Sequence, residues 1–264
     1  MVTEDTDFID TDQRDGVAWL TMDRPERHNA MTVNMAGELY GSLTAAIDAE
    51  GTRAIVLTGA GETFNTGADL GVLEGDASDA ETIWAIARNL HNAIRAIVDA
   101  PVPVVTGING VAAGGGFGLA IAGDIVLMAS DARLEFAYPR IGLSGDGGVT
   151  HMLPAMVGYR RATEIAMLDE PIPADMAVDL GLATRVIDDE SFDEGVASVA
   201  TQLANGPTKA FATFKRLLRE SSRRSLDEQL RAESDAISRL TWSKDYQRGL
   251  AAFFGDGDST FEGR

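Results

Sequence analysis

The chain has 264 residues, 45% hydrophobic and 24% charged, enough for a substantial buried core and too apolar for a disordered or fibrous protein. Its 41 acidic residues against 22 basic ones give a formal charge of −19, which argues against nucleic acid as a partner and suits a solvated acidic surface. Cysteine is absent, so disulfides, thiolate catalysis and Cys-ligated metals are excluded, a composition that fits a reducing cytoplasm.

The acidic opening, MVTEDTDFIDTDQRDG, lacks a basic start and an apolar run, so no secretory signal is expected and the cytoplasm is the default location. Val17 to Met22 reads as a strand, and Val33 to Ala49 as a helix through Met35, Leu39, Leu43, Ala46 and Ile47. Arg53 to Thr58 is a second buried strand that enters the turn GAGETF. That turn mimics the start of a dinucleotide fingerprint, but Phe64 stands where the third glycine belongs and another glycine turn follows instead of a clean helix. Residues 71 to 82, GVLEGDASDAET, have no readable structure. Ala80 to Asp99 is the clearest helix, with Ile83, Ile86, Leu90, Ile94 and Ile97 on one face.

Val102 to Thr106 is the next strand and leads into the segment VVTGINGVAAGGGFGLAIAGDIVLM, Val104 to Met128. Here a buried strand meets three consecutive glycines, a short apolar helix and a second strand, Ile125 to Ala129. Such a turn lets main-chain amides face a cavity, and the helix start adds unpaired donors and a positive dipole end, so the pattern predicts an anion or oxyanion site. Pro101 to Gly123 has no charge, but two prolines, Asn109 and seven glycines argue against a membrane span. Beyond Ser191 the pattern is almost wholly helical, through Phe192 to Ala204, Lys209 to Ser221 and Leu226 to Leu240. The expected organisation is an α/β core over residues 1–190 and a helical region over 191–264.

Six segments in order carry a family resemblance: DRPERHNAM (23–31), GAGETFNTGADL (59–70), INGVAAGGG (108–116), YPRIGLSGDGG (138–148), AVDLGLATRVI (177–187) and FKRLLRESS (214–222). Together they resemble the crotonase superfamily, the enoyl-CoA hydratase/isomerase group. The resemblance covers nearly the whole chain and lies closer to phenylacetate-pathway isomerases and 4-chlorobenzoyl-CoA dehalogenase than to two-glutamate hydratases. It implies a spiral of ββα units with a C-terminal helical trimerisation region, an acyl-CoA thioester as substrate, no separate cofactor and a homotrimer or hexamer. It also implies that the amides of Ala68 and Gly115 hold the thioester oxygen as negative charge develops on it. Arg27, His28, Asp69, Leu70, Gly114 and Tyr138 are the implied substrate-binding residues. Because coenzyme A is polyanionic and the protein acidic, Arg24, Arg27 and Lys215 are the cations to inspect.

Where hydratases of this family carry two glutamates, the chain has Gly118 and Arg140. Neither performs carboxylate acid/base chemistry. Asp146, set among glycines, resembles the aspartate that is an acid/base in the isomerases and a nucleophile in the dehalogenase; a turn-forming role is the alternative. His91 resembles the dehalogenase histidine, or is a packed helix residue. Tyr138 resembles an aromatic of the acyl pocket, or is a core tyrosine. His28 is expected at the surface of the coenzyme A loop, and His151 is expected in packing. No two of the three histidines have metal-ligand spacing, so no metal is expected. An enoyl-CoA isomerase or hydratase-like enzyme is the leading reading, with a dehalogenase or thioester hydrolase and a non-catalytic binding protein as alternatives.

Overall fold

The computed structural model describes residues 7–255 and 260–263; the first six residues of the acidic opening lie outside them. Two sheets form the frame. The large one has the order β1 (Ile9–Arg14), β2 (Val17–Met22), β3 (Ala54–Gly59), β5 (Val104–Ile108), β7 (Ile125–Ala129) and β10 (Arg185–Ile187). The small one has the order β4 (Thr63–Asn65), β6 (Val111–Ala113), β8 (Arg133–Glu135) and β9 (Ile172–Pro173).

Each coil of the chain adds one strand to each sheet. β3 is followed by β4 and α2 (Asp79–Asp99), β5 by β6 and α3 (Gly115–Ala120), and β7 by β8. β2, β3, β5, β7 and β10 run parallel, as do β4, β6 and β8, while β1 and β9 pair antiparallel at the edges. This is the α/β spiral of ββα units that the resemblance implied. β3 and β5 are buried almost throughout, which is why they read as unbroken apolar runs instead of alternating ones.

β1 has no such signature. Five of its six residues are exposed, and it is fixed by the hairpin at Asp15 and Gly16, both left-handed at φ 52° and 77°, the Asp-Gly pair that a tight hairpin favours. α1 (Val33–Asp48) starts at the Thr32 cap, whose side chain accepts the Met35 amide, and buries Met35, Ala36, Leu39 and Leu43. α2 packs along α1 and brings Leu90 toward Gly115 of α3 and Ile94 toward Gly147. A single 3-10 turn, Leu70–Val72, occupies the start of the unreadable segment.

α7 (Phe192–Ala204) lies on the large sheet, where Val196 and Phe192 contact Gly107 of β5. The helix that opens residues 191–264 therefore packs with the core. The three that follow, α8 (Thr208–Ser221), α9 (Leu226–Leu240) and α10 (Lys244–Phe253), bury only Thr208, Ala236 and Asp245 between them. Among the described residues no helix is long and apolar enough to cross a membrane.

Candidate active site

Two turns from distant parts of the chain meet at their glycines. Asn65, fully buried, accepts the Gly67 amide at 2.8 Å and donates to the Asn29 carbonyl at 2.5 Å, which fixes Gly67 at φ 79°. The Met31 amide donates to Gly67 O at 2.7 Å and the Asp69 amide to Met31 O at 2.9 Å. Ala68 is thus clamped on both sides, while its own amide has no acceptor among the described residues. Opposite it, Gly115 opens α3 and its amide is likewise unpaired, as expected for the first residue of a helix.

The closeness of these turns depends on missing side chains. A Cβ on Gly67 would lie 2.9 Å from the Gly115 nitrogen, and one on Gly116 would lie 2.1 Å from the Asn65 carbonyl oxygen. Both contacts are with backbone, so no rotamer change relieves them. The chemistry available is that of two fixed dipoles beside a helix start.

Asp69, next to Ala68, is turned to the scaffold. It accepts Arg24 Nη1 at 2.7 Å through one oxygen and the Gly71 amide at 2.9 Å through the other. Burial by itself would raise its pKa, but the Arg24 hydrogen bond, the Gly71 amide and the Arg24 and Arg27 charges together hold it below the usual carboxylate value. Arg24 also donates to the Ala30 carbonyl at 2.9 Å, so this cation is committed to the turn that carries Ala68. Arg27, His28 and Leu70 line the exposed side of the same region. Lys215 is not brought to them: its ammonium donates to Asp124 Oδ2 and the Ile97 carbonyl, both at 2.7 Å, docking α8 on the end of α2. Burial lowers the Lys215 pKa and raises that of Asp124.

The third component is the loop between β8 and α4 (Val149–Val157). Asp146 Oδ1 lies 2.5 Å from His91 Nε2, with both side chains a little over one third exposed. Gly147, next to Asp146, lies against the Gly115 carbonyl oxygen, 3.4 Å from where a Gly147 Cβ would be, so the pair stands beside the glycine turn. Tyr138 is buried against Phe136, with ring centroids 5.1 Å apart. Its hydroxyl forms no hydrogen bond of good geometry, and burial first, then the Asp146 charge, push its pKa well above the ordinary phenol value.

Gly118 and Arg140 have structural reasons for their identity. A Cβ on Gly118 would stand 2.3 Å from the Gly147 carbonyl oxygen, so the Asp146 loop occupies the space a side chain at 118 would need. Arg140 is paired with Glu135 and Asp169. His151, expected in packing, is instead exposed on the first turn of α4; a lone histidine at a helix start does not reveal its face. Sequence reasoning also missed Asn29, Asn65, Glu135 and Asp169. The only signal was polar residues within otherwise apolar or glycine-rich stretches. Among the described residues no group of three or more His, Asp or Glu is arranged to hold a metal.

Residues 12–264 match the family model described as enoyl-CoA hydratase/isomerase. A probable enoyl-CoA hydratase of Rhodobacter capsulatus is 37% identical over 95% of this chain and 96% of its own. The 1,2-epoxyphenylacetyl-CoA isomerase of Escherichia coli is 33% identical over 98% and 99%, and 4-chlorobenzoyl coenzyme A dehalogenase-2 of an Arthrobacter species 33% over 83% and 80%. Among solved structures, a putative enoyl-CoA hydratase/isomerase from Mycobacterium abscessus superposes with a TM-score of 0.92 at 35% identity, covering 97% of this chain and 100% of that one. With its strand order, its paired glycine turns and this match along nearly its whole length, the chain belongs to the enoyl-CoA hydratase/isomerase family, the crotonase superfamily.

Proposed function

We propose that the protein shifts a carbon–carbon double bond near the thioester of an acyl-CoA, with Asp146 as the proton carrier. The observation that carries this reading is the 2.5 Å contact of Asp146 with His91 beside the Gly115 turn. Asp146 removes a proton from C2 of a 3-enoyl thioester, giving a dienolate whose oxygen is held by the Ala68 and Gly115 amides, and returns it at C4. Each such amide in a water-poor site lowers the barrier by about 3 kcal/mol. His91 orients the carboxylate and holds it between transfers. Tyr138 borders the acyl group, Arg27 and His28 face the coenzyme A moiety, and no cofactor besides the substrate's own coenzyme A is required.

A second reading rests on the same contact and on the likeness to the dehalogenase. Asp146 attacks an aryl carbon and expels chloride, leaving an aryl ester on Asp146, or attacks the thioester carbon and expels the coenzyme A thiolate, leaving a mixed anhydride; water then hydrolyses that intermediate at a carbonyl carbon, releasing the product and the Asp146 carboxylate. Incubation with trans-3-enoyl-CoA, trans-2-enoyl-CoA and 4-chlorobenzoyl-CoA separates the two, because only the last releases chloride. Isomerisation of the first supports the leading reading, and inertness toward both enoyl substrates removes it.

The protein acts as a trimer or hexamer in this reading, supported by the exposed Phe214, Leu218, Ile237, Trp242 and Phe253 on and around α8–α10. Sedimentation equilibrium as a monomer at micromolar concentration would remove that part.

A further inference from the structure

The loop from Ala137 to Gly148 carries Tyr138 and Asp146, yet its base is held by charges that take no part in the proton transfer. Arg140 Nη1 donates to Glu135 Oε2 at 2.5 Å and its Nε to Asp169 Oδ2 at 2.6 Å. Both carboxylates are largely buried, with side-chain exposures of 10% and 11%.

Each carboxylate has a second task. Asp169, the left-handed residue that ends α5 (Tyr159–Leu168), accepts the Ala137 amide through its other oxygen at 2.7 Å. Ala137 is itself left-handed at φ 62°, a conformation a non-glycine residue keeps only when its surroundings impose it. Glu135 accepts Arg133 Nε at 2.7 Å, and its main-chain carbonyl accepts the Gly114 amide at 3.1 Å. One guanidinium therefore joins the Gly114 turn, through Glu135, to the strained start of the Asp146 loop, through Asp169. Farther along, Gly147 rests on Gly118 of α3, so the loop is held at both ends with Asp146 near the second.

We propose that Arg140 is a positioning residue: by bridging Glu135 and Asp169 it sets the Ala137–Gly148 loop against the glycine turn and so keeps Asp146 on His91. The proposal rests on the acid/base reading of Asp146. Arginine suits the task because its planar fork reaches two carboxylates at once, which a lysine point charge does not. A glutamate at this position would face two buried carboxylates of like charge. It would displace the loop without adding a second acid/base group.

The test combines kinetics on trans-3-enoyl-CoA with NMR of the histidine rings, of which the protein has three, His28, His91 and His151. In Arg140→Gln the His91 resonances are expected to move while those of His28 and His151 stay. kcat is expected to fall about 100-fold, the scale of an ångström-sized misplacement, with KM changed less than about threefold. Arg140→Lys recovers part of kcat, and Arg140→Glu falls below Arg140→Gln and gains no hydration of trans-2-enoyl-CoA. A folded Arg140→Gln with wild-type kcat and unmoved His91 signals overturns the proposal. Should that variant fail to fold, Asp169→Asn decides, because asparagine keeps an acceptor for Ala137 and removes the charge; wild-type kcat and His91 signals there also overturn it. Full turnover in Asp146→Asn would remove the acid/base reading, whereas the His91 signals report the Arg140 linkage whatever the turnover.

Discussion

The two halves of the candidate site are built by opposite means. The Ala68 and Gly115 turns present main-chain amides, are enclosed by backbone, and owe their closeness to glycines at 67 and 116. The Asp146 loop presents side chains, leaves its Ile141–Ser144 stretch exposed, and is held by ion pairs from Arg140. In the proposed function the first half stabilises charge on a thioester oxygen whatever the acyl group, and the second chooses the bond that is made or broken. A chain that changes its chemistry within this fold is therefore expected to change the loop and leave the turns, and the exchange at 118 fits: removing that side chain is what lets Gly147 approach.

The comparison breaks most sharply at Gly116. Gly116→Ala adds one methyl, but its Cβ would stand 2.1 Å from the Asn65 carbonyl oxygen, and backbone must move to admit it. Overpacking of this kind costs about 3 kcal/mol and separates the two amides. Turnover is expected to fall below detection and the Tm by roughly 6–12 °C, read by calorimetry and by an isomerisation assay. Near-normal turnover in this variant would mean that the turns do not set the chemistry. Ala68→Gly, which keeps the amide, is expected to stay active.

Asp146→Asn is the corresponding cut in the other half. It preserves shape and removes the proposed proton carrier, so kcat is expected to drop about 1,000-fold, with acyl-CoA affinity by calorimetry and the Tm little changed. Loss of affinity along with turnover would instead place Asp146 in ground-state binding.

The sequence exposed the first half better than the second. β3, β5 and β7 are continuous apolar runs because parallel strands are covered on both faces, and the glycines at 114–116 mark a turn in which Gly116 meets the Asn65 backbone too closely for a side chain. β4, β6 and β8 are three residues each, too short for any periodicity, and β1 is an exposed edge. His91 and Asp146 stand 55 residues apart, a spacing that carries no signal, and only the family resemblance points to both. Arg24 and Lys215 look like free cations in the sequence because their carboxylates, Asp69 and Asp124, lie 45 and 91 residues away. A count of charges does not say which of them are already paired.

Arg24 gives the next prediction. Arg24→Gln leaves Asp69, nearly buried, without its cation and is expected to cost about 2 kcal/mol. kcat falls about tenfold as the Ala68 turn loosens. Because the folded pKa of Asp69 is depressed, the stabilisation is fully present above about pH 4 and is lost as the pH falls through the folded value. The stability gap between wild type and variant should close in acid and persist at neutral pH. A gap unchanged down to pH 2 would sever the pair from the effect.

The smallest effect on chemistry is expected at Lys215, where the sequence and the structure disagree. Had its ammonium faced coenzyme A, Lys215→Met would raise KM for every acyl-CoA. Since it is spent on Asp124 and the Ile97 carbonyl, the variant should keep kcat and KM within about twofold, while losing stability because Asp124, partly shielded and still accepting the Val104 amide, is left without its cation. The Asp124→Asn exchange made in the same chain should return part of that loss, since an amide tolerates burial better than an unpaired carboxylate. A raised KM in Lys215→Met that the second exchange does not restore would return Lys215 to the substrate and undo its assignment to the packing of α8.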